Sequence, residues 1–188
     1  MTTAIRRLLA GTLFALTVTG ASATEYTFGT LLSGPGAPVS PSFATLTANV
    51  VGSNVNFTLN AYGLDVFAGS PFIGSVAVTG TQTGSVSNVT GGVSTVAIAS
   101  GGGPGGTWDF RFGLGGGSDR LIDNETVSWT WAGGANSFQD FAVHVQGITY
   151  GDTTSAWYTP QIPEPSGYGL AMVGLAVVGF AARRRRPG

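Results

Sequence analysis

Three stretches of this chain alternate apolar and polar residues with a period of two. Val55, Phe57, Leu59 and Ala61 interleave with Asn54, Asn56, Thr58 and Asn60; Trp108, Phe110 and Phe112 with Thr107, Asp109 and Arg111; Val127, Trp129 and Trp131 with Thr126, Ser128 and Thr130. Successive side chains of a strand point to opposite faces, so the pattern specifies half-buried strands with one aromatic face and one Thr/Asn face. Residues 43–51, 73–79, 94–99 and 138–150 are further strand candidates, set apart by turn clusters such as Gly52, Ser53, Asn54 and Gly133, Gly134, Ala135, Asn136. Between the two ends no segment has a helical period, and the Thr, Val and aromatic enrichment suits a pleated surface. About seven to ten short strands with glycine-rich connections predict an all-β fold, an antiparallel β-sandwich of jelly-roll-like or immunoglobulin-like type, with a closed barrel as the alternative. The aromatic stripes face inward, which puts Trp108, Trp129 and Trp131 in the core rather than on a sugar-stacking platform; Trp157 and Tyr158 either face outward or seal the last strand.

The two ends obey other rules. Arg6 and Arg7 precede an apolar run over residues 8–18, and Ala21 and Ala23 flank Ser22 as the small-x-small site that a signal peptidase accepts. This is the pattern of a secretory signal peptide over residues 1–23, with a mature chain starting at Thr24. At the other end come Pro163, Glu164 and Pro165, an apolar stretch over residues 166–182, and Arg183, Arg184, Arg185 and Arg186. A helix over that stretch reaches about 25 Å, a marginal span for a hydrocarbon layer of ~30 Å. Four adjacent arginines resist burial and stay on the cytoplasmic side, which leaves the preceding domain outside. The expected organisation is therefore a signal helix at 1–23, a β domain at 24–160 and a transmembrane tail at 161–188.

The order of Ile162, Pro163, Glu164, Pro165 and Ser166, then an apolar segment, then four arginines, resembles the PEP-CTERM sorting signal of exported bacterial proteins, the proposed substrates of exosortases. The resemblance covers about the last 26 residues, and only Pro187 and Gly188 after the arginines depart from it. It implies an inner-membrane precursor, recognition of Pro163, Glu164 and Pro165 at the outer face, cleavage near them by an exosortase-type enzyme, and release or transfer of the domain to the cell surface. The Leu-Pro-x-Thr-Gly arrangement of a sortase signal is absent from the sequence.

Between these addresses the charge is lopsided: Arg111 and Arg120 stand against Glu25, Asp65, Asp109, Asp119, Asp123, Glu125, Asp140 and Asp152, a net of −6. Such a domain repels phosphate backbones, which excludes nucleic acid as a partner. The chain has no cysteine and no lysine, so disulfides, thiolate metal sites and Schiff-base chemistry are closed to it. His144 is the single histidine, on the strand face of Ala142 and Gln146, and without a Gly-x-Ser-x-Gly elbow it has no serine to activate. The Gly-x-Gly-x-x-Gly within residues 101–106 is broken by Pro104 and reads as a loop. Asn56, Asn88 and Asn124 open N-x-Thr sequons, coincidental in a chain rich in Thr and Asn. Asp119, Asp123, Asn124 and Glu125 gather hard oxygen ligands in one glycine-rich connection and are the candidates for calcium, off the EF-hand spacing.

Three functions from different classes follow. The first is a non-enzymatic exported domain without cofactor, acting in the cell envelope or extracellular matrix with exopolysaccharide or biofilm, a role that rests on family analogy. The second is a secreted carbohydrate- or calcium-binding module. The third is a secreted hydrolase, which needs two carboxylates facing each other across a cleft.

Overall fold

The computed structural model of the protein describes residues 23–34, 41–133 and 138–161. Among these described residues ten strands form: β1 (Ala23–Ser33), β2 (Ala44–Val51), β3 (Asn54–Ala61), β4 (Gly69–Gly80), β5 (Ser85–Gly91), β6 (Val96–Ser100), β7 (Phe110–Leu114), β8 (Glu125–Ala132), β9 (Phe138–Tyr150) and β10 (Thr153–Pro160). They join in one sheet of order β5-β8-β3-β2-β1-β10-β9-β4-β7-β6, every ladder antiparallel. Residues 1–22 and 162–188 lie outside the described residues, and with them Ala21, Pro163, Glu164, Pro165, the apolar tail and the arginines; Ala23 opens β1. Among the described residues no helix is long and apolar enough to cross a membrane.

The sheet must curl, for a reason the connectivity supplies. Its two edge strands, β5 and β6, are joined by residues 92–95 alone. Ten flat strands would hold the edges roughly 43 Å apart at about 4.8 Å per spacing, whereas four linking residues reach roughly 17 Å. The sheet therefore rolls until its edges meet, between a sandwich and a barrel, and its inward faces enclose one core.

The alternation is realised as expected in β3 and β8, which pair directly: Phe57 opposite Trp129, Val55 opposite Trp131, Leu59 opposite Val127. Their inner rings meet the opposite layer. Phe57 stacks on Trp129 with centroids 5.2 Å apart and touches Phe112 at 5.6 Å and Phe138 at 5.0 Å, while Phe110 stacks on Trp131 at 5.5 Å. Offset and edge-to-face pairs of this kind add about 0.5–1.5 kcal/mol each beyond area burial. On the outer face the same register lines up polar partners: Thr126 Oγ1 donates to Asn60 Oδ1 at 3.1 Å, Thr58 and Ser128 share a hydrogen bond of 3.0 Å, and Thr130 Oγ1 donates to Asn56 Oδ1 at 3.0 Å.

The sequon asparagines have local structural roles. Asn88 (φ 53°) and Asn124 (φ 61°) occupy the left-handed region, which asparagine tolerates better than most residues. Asn88 sits where β5 slips its register against β8, and Asn124 in the turn before β8. The structure corrects one core assignment. Trp108 is half-buried and precedes β7, which starts only at Phe110, because Asp109 anchors a loop: its N–H donates to Val78 O at 3.0 Å and its carboxylate accepts from Gly80 N at 2.7 Å. Trp129, Trp131 and Tyr158 are buried as core residues, and Trp157 is half-buried.

Candidate functional site

A groove of about 930 Å³ opens where the sheet splits. β10 follows β9 as far as the pair Tyr158 and Val143, then stays with β1, Pro160 opposite Phe28 and Gln161 N donating to Thr27 O at 2.7 Å. β9 runs on beside β4 to Phe138. The strands diverge, and between them lie Glu25, Tyr26, Trp108, Asp140, Phe141 and Gln161, with four threonines on the wall. Tyr26 packs on Phe141 with centroids 4.8 Å apart; burial, and then the negative charge of Asp140, raise its phenol above the ordinary range. The groove thus offers aromatic surface, two carboxylates and hydroxyl groups. Flat apolar faces with a few convergent acceptors suit a polyhydroxylated ligand. Glu25, Tyr26, Asp140 and Gln161 come from strand ends far apart in the chain, so no local pattern announces them. The signal that could have freed Trp108 from the core is its own leader: Pro104, Gly105 and Gly106 just before it form a turn, not a strand.

His144 lies on the outward face of β9, as its neighbours imply, yet it is not a solvated side chain. Its ring stacks on Trp157, directly opposite on β10, at 4.2 Å and 3°. Burial, assisted by the charge of Arg111, lowers its pKa from 6.5 to about 4. The pocket it lines contains Ser75 and Arg111 but no carboxylate, so a serine–histidine–acid relay is not assembled there. The depressed pKa fixes the sign of a pH effect. Between about pH 6.5 and 4 the unfolded chain binds a proton at His144 that the folded chain refuses, so acidification through that window favours unfolding. With the discount that a partly solvated ring requires, the expected loss is roughly 1–2 kcal/mol. Thermal melts at pH 7 and pH 4 should show a smaller acid-induced drop in Tm for His144→Gln than for the parent; equal drops would refute the assignment.

The acidic connection does not converge. Asp119 accepts from Ser94 N and from Ser94 Oγ at 2.7 Å. Asp123 Oδ1 accepts from Leu64 N at 2.9 Å and its Oδ2 from Asn124 Nδ2 at 2.9 Å, while Glu125 Oε2 accepts from Ile122 N at 3.0 Å. Each carboxylate fastens a different piece of backbone, and among the described residues no group of three or more metal-ligating side chains forms.

The described β domain ends where the arginine-ended tail of the sequence begins. The family model described as the PEP-CTERM protein-sorting motif matches residues 161–186. The chain therefore carries that motif, which marks it for export to the cell envelope or surface and for processing by an exosortase-type enzyme. Among solved structures, a chain from a study of Streptococcus parasanguinis, "pH-induced modulation of Streptococcus parasanguinis adhesion by Fap1 fimbriae", is similar with a TM-score of 0.47 and 7% identity, covering 78% of this chain and 98% of that one. Comparison with curated proteins finds no match.

Proposed function

We propose that the β domain is a non-enzymatic component of the cell envelope or extracellular matrix, delivered by its sorting tail and held to exopolysaccharide through the groove between β1 and β9. The observation that carries the reading is the position of Trp108 and Tyr26 beside Glu25, Asp140 and several threonines in one open groove. Ring faces give a sugar its apolar contact and the carboxylates accept its hydroxyl protons. The test is co-sedimentation of the exported protein with exopolysaccharide isolated from the same cells. Trp108→Ala is expected to lower the bound fraction about three- to tenfold, the equivalent of the ~0.5–1.5 kcal/mol of an aromatic contact, with Tm nearly unchanged because Trp108 is outside the core. Binding equal to the parent would remove the groove from the account.

A second reading has one observation in its favour: Glu25 and Asp140 line the same groove, as the acid pair of a glycoside hydrolase must. Release of reducing sugar from that polysaccharide, abolished by Asp140→Asn, would establish it in place of the non-enzymatic reading.

A further inference from the structure

On the outward face, away from the groove, the sheet carries a polar bowl of about 280 Å³ lined by Gly74, Ser75, Arg111, Gly113, His144 and Gln146. Three adjacent strands build it. Ser75 of β4 pairs with Gly113 of β7 on one side and with His144 of β9 on the other. The floor is low because its residues are small. Gly113 presents nothing, and a Cβ there would find Ala97 O at 3.8 Å as its nearest neighbour. Gly74 lies where β4 slips its register against β9, and the side chain of Gln146 is laid across it, since a Cβ at Gly74 would stand 2.9 Å from its amide carbon.

The walls are chemically distinct. One is the imidazole of His144, backed on its far side by Trp157 and thereby held upright with its other face toward Ser75 and Gly113. The other is Arg111, whose strand partners are Ala77 and Ala99, and whose guanidinium lies along Gly102, where a Cβ would stand 3.0 Å from the guanidinium carbon and 3.2 Å from Cδ. No carboxylate lines the bowl, so one of the two basic side chains in an otherwise acidic domain faces it without a compensating charge from the lining.

We propose that this bowl binds a carboxylated sugar, a hexuronate, with its carboxylate on the guanidinium of Arg111 and its ring against the imidazole face of His144. The planar guanidinium fork matches a carboxylate in two-point contact. Ser75 and Gln146 supply hydroxyl and amide groups to the ring hydroxyls, and the bowl has room for one ring. A single fixed positive charge beside a neutral imidazole suits a monoanion, whereas a phosphate dianion would be left half neutralised. The inference rests on the matrix reading only for the source of the ligand, which would be acidic residues of the exopolysaccharide.

The experiment is calorimetric titration of the full chain in detergent micelles at pH 7 with sodium glucuronate, glucose, acetate and inorganic phosphate. Glucuronate is expected to bind at least tenfold more tightly than each of the other three. Arg111→Gln should remove that preference. Gly113→Val, whose side chain would enter open space above a strand of ordinary geometry, should block binding while leaving Tm at or above that of the parent. Glucose equal to glucuronate would overturn the charge assignment, acetate equal to it the sugar assignment, and phosphate equal to it the monoanion assignment. Binding unaffected in folded Gly113→Val would overturn the location. Loss of glucuronate binding with polysaccharide co-sedimentation intact would sink the bowl and spare the groove; the reverse would sink the matrix reading and spare the bowl.

Discussion

Replacement of Pro163, Glu164 and Pro165 together by alanine is expected to stop processing almost completely, so that the chain accumulates with its arginine-ended tail intact. On the proposed reading the tail combines a signal that an enzyme reads with an apolar segment that holds the substrate still, and only the first is removed by this change. Residues 166–182 remain as apolar as before, and Arg183 to Arg186 still resist transfer across the bilayer, because moving each guanidinium through hydrocarbon costs a few kcal/mol or more. Mass spectrometry of the membrane and medium fractions reads the outcome. Parent material should end near residues 163–166, and the variant should keep Arg183 to Arg186 in the membrane fraction. Identical C-termini for the two would show that the three residues are not what the processing enzyme recognises.

Phe57→Ala should be the most damaging single change in the β domain. Phe57 is fully buried and its ring contacts Phe112, Trp129, Phe138 and Phe141, joining both layers of the rolled sheet. Truncation removes the transfer free energy of the ring and leaves a cavity walled by stiff aromatic groups that cannot collapse into it, a cost of about 3–5 kcal/mol. Against a total stability of about 5–15 kcal/mol this is a large fraction, and for a domain of this size it lowers Tm by roughly 10–15 °C. Circular dichroism melts decide the matter: a loss below about 1 kcal/mol would mean that the layers do not depend on this ring. Thr58→Ala, on the outer face of the same strand, breaks only a partly solvated hydroxyl contact with Ser128 and serves as the control.

The contrast between those neighbouring residues shows why part of the fold is legible in the sequence. Where a strand has one wet and one dry face, burial writes itself as alternation, and β3 and β8 could be read residue by residue. β5 has no such record: an edge strand without a buried residue, it gives composition nothing to alternate. β1 adjoins the expected leader and has irregular register against β10, and β10 begins with Thr153, Thr154 and Ser155, which declare no face. Trp108 misleads for the opposite reason. It keeps the period of Phe110 and Phe112 but stands in a loop fixed by the carboxylate of Asp109, an interaction with β4 that only tertiary structure creates.

The candidate sites were less legible still. The groove joins Glu25 to Asp140 and the bowl joins Ser75 to Arg111 and His144 through strand order, which no local pattern encodes. The acidic connection, by contrast, looked like a site because its ligands are close in sequence. In the fold they diverge, each turned toward a different backbone amide. The sorting motif was readable throughout because its physics is linear: apolar length followed by charge.

β1 lies between β2 and β10, so the first strand of the domain completes its ladder only with the last. A chain that emerges N-terminus first has β1, β2 and β3 ready to associate early, but the seam with β10 waits until nearly the whole domain has left its channel. Bringing Phe28 and Pro160 together across that length costs about 4 kcal/mol of chain entropy. Until that final stitch the rolled sheet stays open along its middle, and the chain is at its most vulnerable to proteases and to pairing with its neighbours.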